Sequence, residues 1–183
     1  MSDSTHHEPS TSQVLGSSRI YHLRPTTEAD AHCLWEMLYH AIHVPPGAAA
    51  PEREIIYAPE LARYVTGWGR PGDLGYLALD AEGLLVGAAW LRRFSADEPG
   101  YGFIDAATPD LAIAVTPAWR GHGVGSRLLE ALLDAATERY AAVSLNVQTE
   151  NPAVRLYRRF GFEVFEDGRT WYTMRKCFGS MRR

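Results

Sequence analysis

The stretch DLAIAVTPAWRGHGVGS, residues 110–126, changes its period in the middle. Leu111, Ile113 and Val115 alternate with smaller or polar neighbours, as a half-buried strand does. Past a glycine-rich turn, Val124, Leu128, Leu132 and Ala135, flanked by Leu129, Leu133 and Ala136, recur at helical spacing. They predict one long amphipathic helix ending near Tyr140. A strand therefore feeds a helix through Arg120, Gly121, His122, Gly123, Val124, Gly125 and Ser126. Glycines remove the Cβ atoms that keep a backbone from a ligand, and the first N–H groups of a helix point at whatever occupies the turn. An anion is the natural occupant, and Arg120 can add charge-assisted hydrogen bonds to a diphosphate. A glycine-rich connector without a ligand is the competing interpretation.

Working outward, Ile20 to Arg24 predicts a short strand, and Thr27 with Asp30 a capping-box start to a helix carrying Ala31, Leu34, Trp35, Leu38 and Ile42. Pro45, Pro46, Gly47 and Pro51 break that pattern. Pro59 opens a second helix with Leu61, Tyr64, Val65 and Trp68, to be ended by Gly67 or Gly69. Gly75 to Leu79 and Leu84 to Phe94 predict a hairpin around residues 80–83, and Val143, Leu145 and Val147 a strand. Asn151 and Pro152 start a short helix stopped by Gly161, and two last strands flank Asp167 and Gly168. The order implies an α+β domain: a mixed, mostly antiparallel central sheet with helices on both faces.

The chain has 183 residues, 46% apolar and 22% charged, enough for one domain with a sizeable core. Residues 1–18, polar and rich in Ser, Thr and His, are expected to be a mobile tail, with residues 19–183 as the domain. His6 and His7 fit a polar tail better than a metal site, and no metal framework is expected. A net charge of −4 argues against a nucleic-acid binder, and the absence of a long apolar run against a membrane span. Two distant cysteines, Cys33 and Cys177, suit a reducing compartment, so a cytoplasmic protein is expected. From Glu28 to Asp110 there are 13 acids against 5 bases, and from Arg120 to Arg183 11 bases against 7 acids. If both flank one cleft, the basic side suits a polyanionic cofactor and the acidic side a cationic co-substrate.

Elimination narrows the anion. A Walker loop needs Lys followed by Ser or Thr after its last glycine, whereas Gly125 is followed by Ser126 and Arg127. A dinucleotide fingerprint is only approximated by Gly121, Gly123 and Ser126, and Asn146 stands where an acid would be wanted. Arg120 to Gly125 spells RxxGxG, and Ala153 to Phe162 spells AxxLYxxxGF. Together these segments resemble the GCN5-related N-acetyltransferases, the GNAT superfamily, over roughly residues 109–174.

The resemblance implies an acetyl-CoA enzyme. The backbone of the strand at Ile113 and Val115 would pair with the pantetheine arm, and Arg120, Gly121, His122, Gly123, Val124, Gly125 and Ser126 would hold the diphosphate. Tyr157, in the LY position, would be the general acid for the leaving thiolate. An alkyl amine of pKa ~10.4 is neutral in fewer than about one molecule in a thousand at pH 7, so a base is also needed. Asp110 is the candidate base, acting through a water. Asn146 stands where the ribosomal-protein alanine acetyltransferases place a Glu, and an amide is no base. Asn151, one residue off the usual offset, is a candidate for the pantetheine and equally a helix N-cap.

Tyr76, Trp90, Tyr101, Phe103 and Asp105 are candidate acceptor-pocket walls, although strand aromatics are usually core. Residues 45–59 are where specificity is expected. The expected activity is direct acetyl transfer to a primary amine of a small molecule or peptide, in a chain that is compatible with a homodimer. The alternative, from another class, is a catalytically inactive acyl-CoA-binding sensor module.

Overall fold

The computed structural model describes residues 20–179, so the expected tail, with His6 and His7, lies outside the described residues. β1 (Tyr21–Pro25) leads into Thr27 and Asp30, where Thr27 N–H donates to Asp30 Oδ2 at 2.7 Å. The two guanidinium nitrogens of Arg24 grip the same carboxylate at 2.8 and 2.7 Å. The Arg24 hydrogen bonds, aided by Thr27, hold Asp30 far below the usual carboxylate range against its partial burial. This cap opens a 3-10 turn, Glu28–Asp30, that runs straight into α1 (Ala31–Ala41), whose Leu34, Met37 and Leu38 are buried.

The second helix is shorter than its apolar spacing predicts. α2 (Pro59–Ala62) makes one turn, after which the chain tightens, with Tyr64 N–H donating to Leu61 O and Val65 N–H to Ala62 O. Arg92 explains the stop: its buried guanidinium takes the carbonyls of Arg63, Thr66 and Gly67, the acceptors a longer helix would have used. Gly67 then turns the chain at φ +64°. The same Arg92 is paired with Asp73 at 2.6 Å, both side chains almost wholly buried. Tyr64, Val65 and Trp68 reach the core, as their spacing predicts, without a continuous helix.

β2 (Leu74–Asp80) and β3 (Leu85–Arg92) form an antiparallel hairpin. Its turn is closed by Asp80 Oδ1, which accepts from Glu82 N–H and Leu84 N–H. β4 (Asp110–Val115) pairs antiparallel with β3 and feeds α3 (Val124–Thr137). β5 (Ala142–Gln148) precedes α4 (Ala153–Arg159) and the hairpin of β6 (Glu163–Asp167) and β7 (Trp171–Cys177). The described residues form one seven-stranded sheet in the order β1-β2-β3-β4-β5-β7-β6, with β4 and β5 the one parallel pair. The mixed, mostly antiparallel sheet expected from the sequence is therefore observed.

Strand alternation sorts the core into two layers. Leu111, Val143, Leu145 and Val147 point to the α3 side, where Leu128, Leu129, Leu132 and Tyr157 meet them. Leu77, Ala88, Trp90 and Ala114 point to the opposite side, against α1 and the α2 turn. β3 is buried along almost its whole length because helices cover both its faces.

Candidate active site

β4 and β5 share one rung, Asp110 with Ser144, where Ser144 N–H donates to Pro109 O at 3.0 Å. Beyond it the strands part. Thr116 N–H donates to Val86 O on the β3 side, and backbone groups alternate along a strand, so the N–H and C=O of Ile113 and Val115 face the open edge. The Val115 carbonyl accepts from Arg120 Nε at 3.1 Å. Ile113 and Val115 are half-buried, and apart from that bond no hydrogen bond to their backbone lip spans the gap among the described residues.

At the mouth of that gap lies the glycine loop. Gly121 and Gly123 sit at φ +77° and +80°, and a Cβ built on either would meet nothing within 4 Å. Gly123 is the N-cap of α3, and the first backbone bond of the helix runs from Arg127 N–H to Gly123 O. The N–H groups from Gly121 to Ser126 thus have no backbone acceptor among the described residues. A Cβ at Gly125 would lie 3.6 Å from Val115 Cγ2 and 3.9 Å from Leu156 Cδ2, so the loop stands between the end of β4 and α4. Arg159 of α4 donates to Ser126 Oγ at 2.8 Å, and His122 Nδ1 lies 2.9 Å from Arg120 O. A row of free amides at a helix N-terminus beside Arg120 and Arg159 fits a diphosphate, and the bare lip of β4 fits an extended amide-bearing chain.

Tyr157 is 7% exposed, packs edge-on to Phe162 at 5.9 Å, and its hydroxyl has no hydrogen bond among the described residues. Burial pushes its pKa well above the ordinary phenol value, so it stays protonated at neutral pH and can donate. Asp110, at the start of β4, is 2% exposed. Its Oδ2 accepts from Tyr64 hydroxyl at 2.6 Å and Gly102 N–H at 2.8 Å. Burial pushes its carboxyl up to about 7, the hydrogen bonds from Tyr64, Gly102 and Leu111 opposing the rise.

The other candidates separate. Asn151 Oδ1 accepts from Ala153 N–H at 2.9 Å, so its side chain caps α4. Asn146 is half-buried on the strand that borders the gap. Tyr101 is 55% exposed and stacks on Tyr64, and Phe103 packs at the rim of the α1-side core. As strand aromatics usually are, two of the candidate walls are core: Tyr76 packs against the α3-side core and Trp90 is wholly buried with its Nε1–H on Tyr64 O. Asp105 accepts from the N–H groups of Ala107 and Thr108. Residues 45–59 run back along α1, where Tyr39 donates to Pro51 O, Arg53 pairs with Glu36, and Tyr57 tilts against Trp35 at 5.4 Å. Tyr64, whose helical spacing marks only a core position, is the partner of the candidate base Asp110 that sequence reasoning missed.

A family model described as "Acetyltransferase (GNAT) family" matches residues 35–162. The chain is 31% identical over 112 residues to a mycothiol acetyltransferase of Corynebacterium aurimucosum, covering 57% of this chain and 34% of that protein. It is 37% identical over 98 residues to the N-alpha-acetyltransferase RimI of Mycobacterium tuberculosis, covering 53% of this chain and 57% of that one. The chain thus spans about a third to a little over half the length of these relatives. Among solved structures it resembles a phosphinothricin acetyltransferase from Sinorhizobium meliloti in complex with acetyl-CoA, with a TM-score of 0.61 at 22% identity over 87% of this chain and 89% of that one.

Proposed function

The chain belongs to the acetyltransferase (GNAT) family, and from that premise we propose that it transfers the acetyl group of acetyl-CoA directly to a primary amine of a small molecule or peptide. The observation that carries this is the row of free amides from Gly121 to Ser126 at the mouth of the gap between β4 and β5. Acetyl-CoA supplies the activated thioester. The amides from Gly121 to Ser126, with Arg120, bind its diphosphate, and the backbone of Ile113 and Val115 orients the pantetheine arm. Asn151 is a further candidate contact to that arm through its side-chain NH2, because its oxygen is taken by the α4 cap.

Tyr157, buried and protonated, gives its proton to the departing thiolate. Asp110 is the carboxyl assigned to receive the amine's proton, by relay, since it is withdrawn from solvent behind Tyr64 and Gly102. The acceptor enters at the gap between β4 and β5, where the acidic half of the chain suits a cation. Two free thiols, Cys33 and Cys177, support placing this chemistry in the cytoplasm.

The test is thiol release from acetyl-CoA by the full-length protein with a panel of primary amines. Turnover is expected, with Arg120→Ala raising the KM for acetyl-CoA and Tyr157→Phe lowering kcat by about 100-fold or more at unchanged acetyl-CoA KM. Failure to bind acetyl-CoA would overturn the proposal. Thermal stabilisation by acetyl-CoA without turnover on any amine would instead establish a sensor.

A further inference from the structure

Four segments meet where β4 and β5 part. Asp110 starts β4, and Ser144 of β5 gives both its N–H and its hydroxyl to Pro109 O. The turn after α2 contributes Tyr64, whose hydroxyl donates to Asp110 and accepts from Tyr101 N–H at 2.7 Å. Residues 99–103 then cross β5. A Cβ at Gly102 would stand 2.6 Å from Asp110 Oδ1 and 2.7 Å from the backbone carbon of Leu145, and one at Gly100 2.5 Å from Asp110 Oδ2. Only glycine lets the chain come this close, so its two glycines are cut to fit over the carboxyl. The end of the segment is tied by Arg63, which donates to Pro99 O at 2.6 Å. One product of the arrangement is left outside: the Tyr101 ring, stacked on Tyr64 and more than half exposed beside the gap.

We propose that Tyr64 is a positioning residue of the acceptor site: its hydroxyl latches residues 99–103 across the vertex of β4 and β5, and so fixes the Tyr101 ring as the closed end of the acceptor cleft. What the cleft holds rests on the acetyltransferase proposal above; the latch does not. The hydroxyl is the single atom that joins the Asp110 carboxyl to the Tyr101 amide, so removing it leaves the buried carboxyl and the Tyr101 N–H each short of a partner. The Phe94 ring contact and the packing of the α2 turn do not depend on it.

Amide hydrogen exchange and acceptor kinetics on the full-length protein test this. In Tyr64→Phe, the amides of Tyr101 and Gly102 are expected to exchange about tenfold faster or more, with those of α3 unchanged. The acceptor KM rises several-fold, about as one lost hydrogen bond predicts, with the acetyl-CoA KM unmoved and bulkier amines gaining relative to small ones. Tyr101→Ala keeps the latch and removes the stop: Gly102 exchange stays as in the parent while the acceptor KM rises. Parent-like exchange at Tyr101 and Gly102 in Tyr64→Phe would overturn the latch, and an unmoved acceptor KM in both variants would overturn the stop. If no amine is turned over, the acetyltransferase proposal and the stop both fail, and the exchange measurement still decides the latch.

Discussion

Asp110 carries a carboxyl into a place that offers it a phenol and an amide but, among the described residues, no cation, and its protonation accordingly couples to folding. Its folded pKa, about 7, lies above the unfolded carboxylate value, so the native state holds the extra proton between pH ~4 and ~7. Stability from this group is therefore full below pH ~4 and is lost as pH climbs toward ~7, at up to about 1.4 kcal/mol per unit. Asp110→Asn is expected to flatten that fall, which urea melts of parent and variant at pH 5 and pH 8 measure. An equal loss in both proteins would exclude Asp110 as the source. The strand, turn and helix start around the glycine loop were legible in the sequence because they depend on local spacing, whereas Tyr157 was singled out by the resemblance and its role stands as proposed. The Asp110–Tyr64 contact was not, since 46 residues separate the partners and no local pattern links them.

Among the elements, α3 shows what the loop glycines contribute. Gly123 caps it at φ +80° in open space, so alanine there meets no obstacle and is opposed only by the left-handed backbone, about 1–2 kcal/mol. Gly123→Ala is expected to lower the melting temperature modestly and to raise the KM for acetyl-CoA, because relaxing that angle turns the first amides of the helix aside. Calorimetry and a titration of acetyl-CoA check both. The elements themselves followed from the apolar periods almost to their ends. The exception, α2, was cut short by Arg92, a residue of β3 whose appetite for the carbonyls of Arg63, Thr66 and Gly67 no reading of residues 59–68 reveals.

For the molecule as a whole, the buried Arg92–Asp73 pair ties the α2 turn to the sheet from beneath, with Asp73 also holding the N–H groups of Gly69 and Arg70. Asp73→Asn strands a guanidinium in the core and is expected to cost about 3–5 kcal/mol, read as a shift in the urea midpoint, whereas a loss under ~1 kcal/mol would mean that the backbone carbonyls alone satisfy Arg92. The same scale shows why charge could be read as two blocks but not placed. The acids and bases divide near the end of β4, and only the folded sheet sets that division along the gap beside β5.

Because β4 and β5 are joined by a single rung, the sheet is two panels, one of four strands and one of three, hinged at Asp110 and Ser144. A guest laid along the bare lip of Ile113 and Val115 would supply rungs that the protein withholds from itself. Its grip and the protein's resistance to unzipping would then draw on the same hydrogen bonds, and the seam that admits the cargo would be the first place to come apart once the cargo has gone.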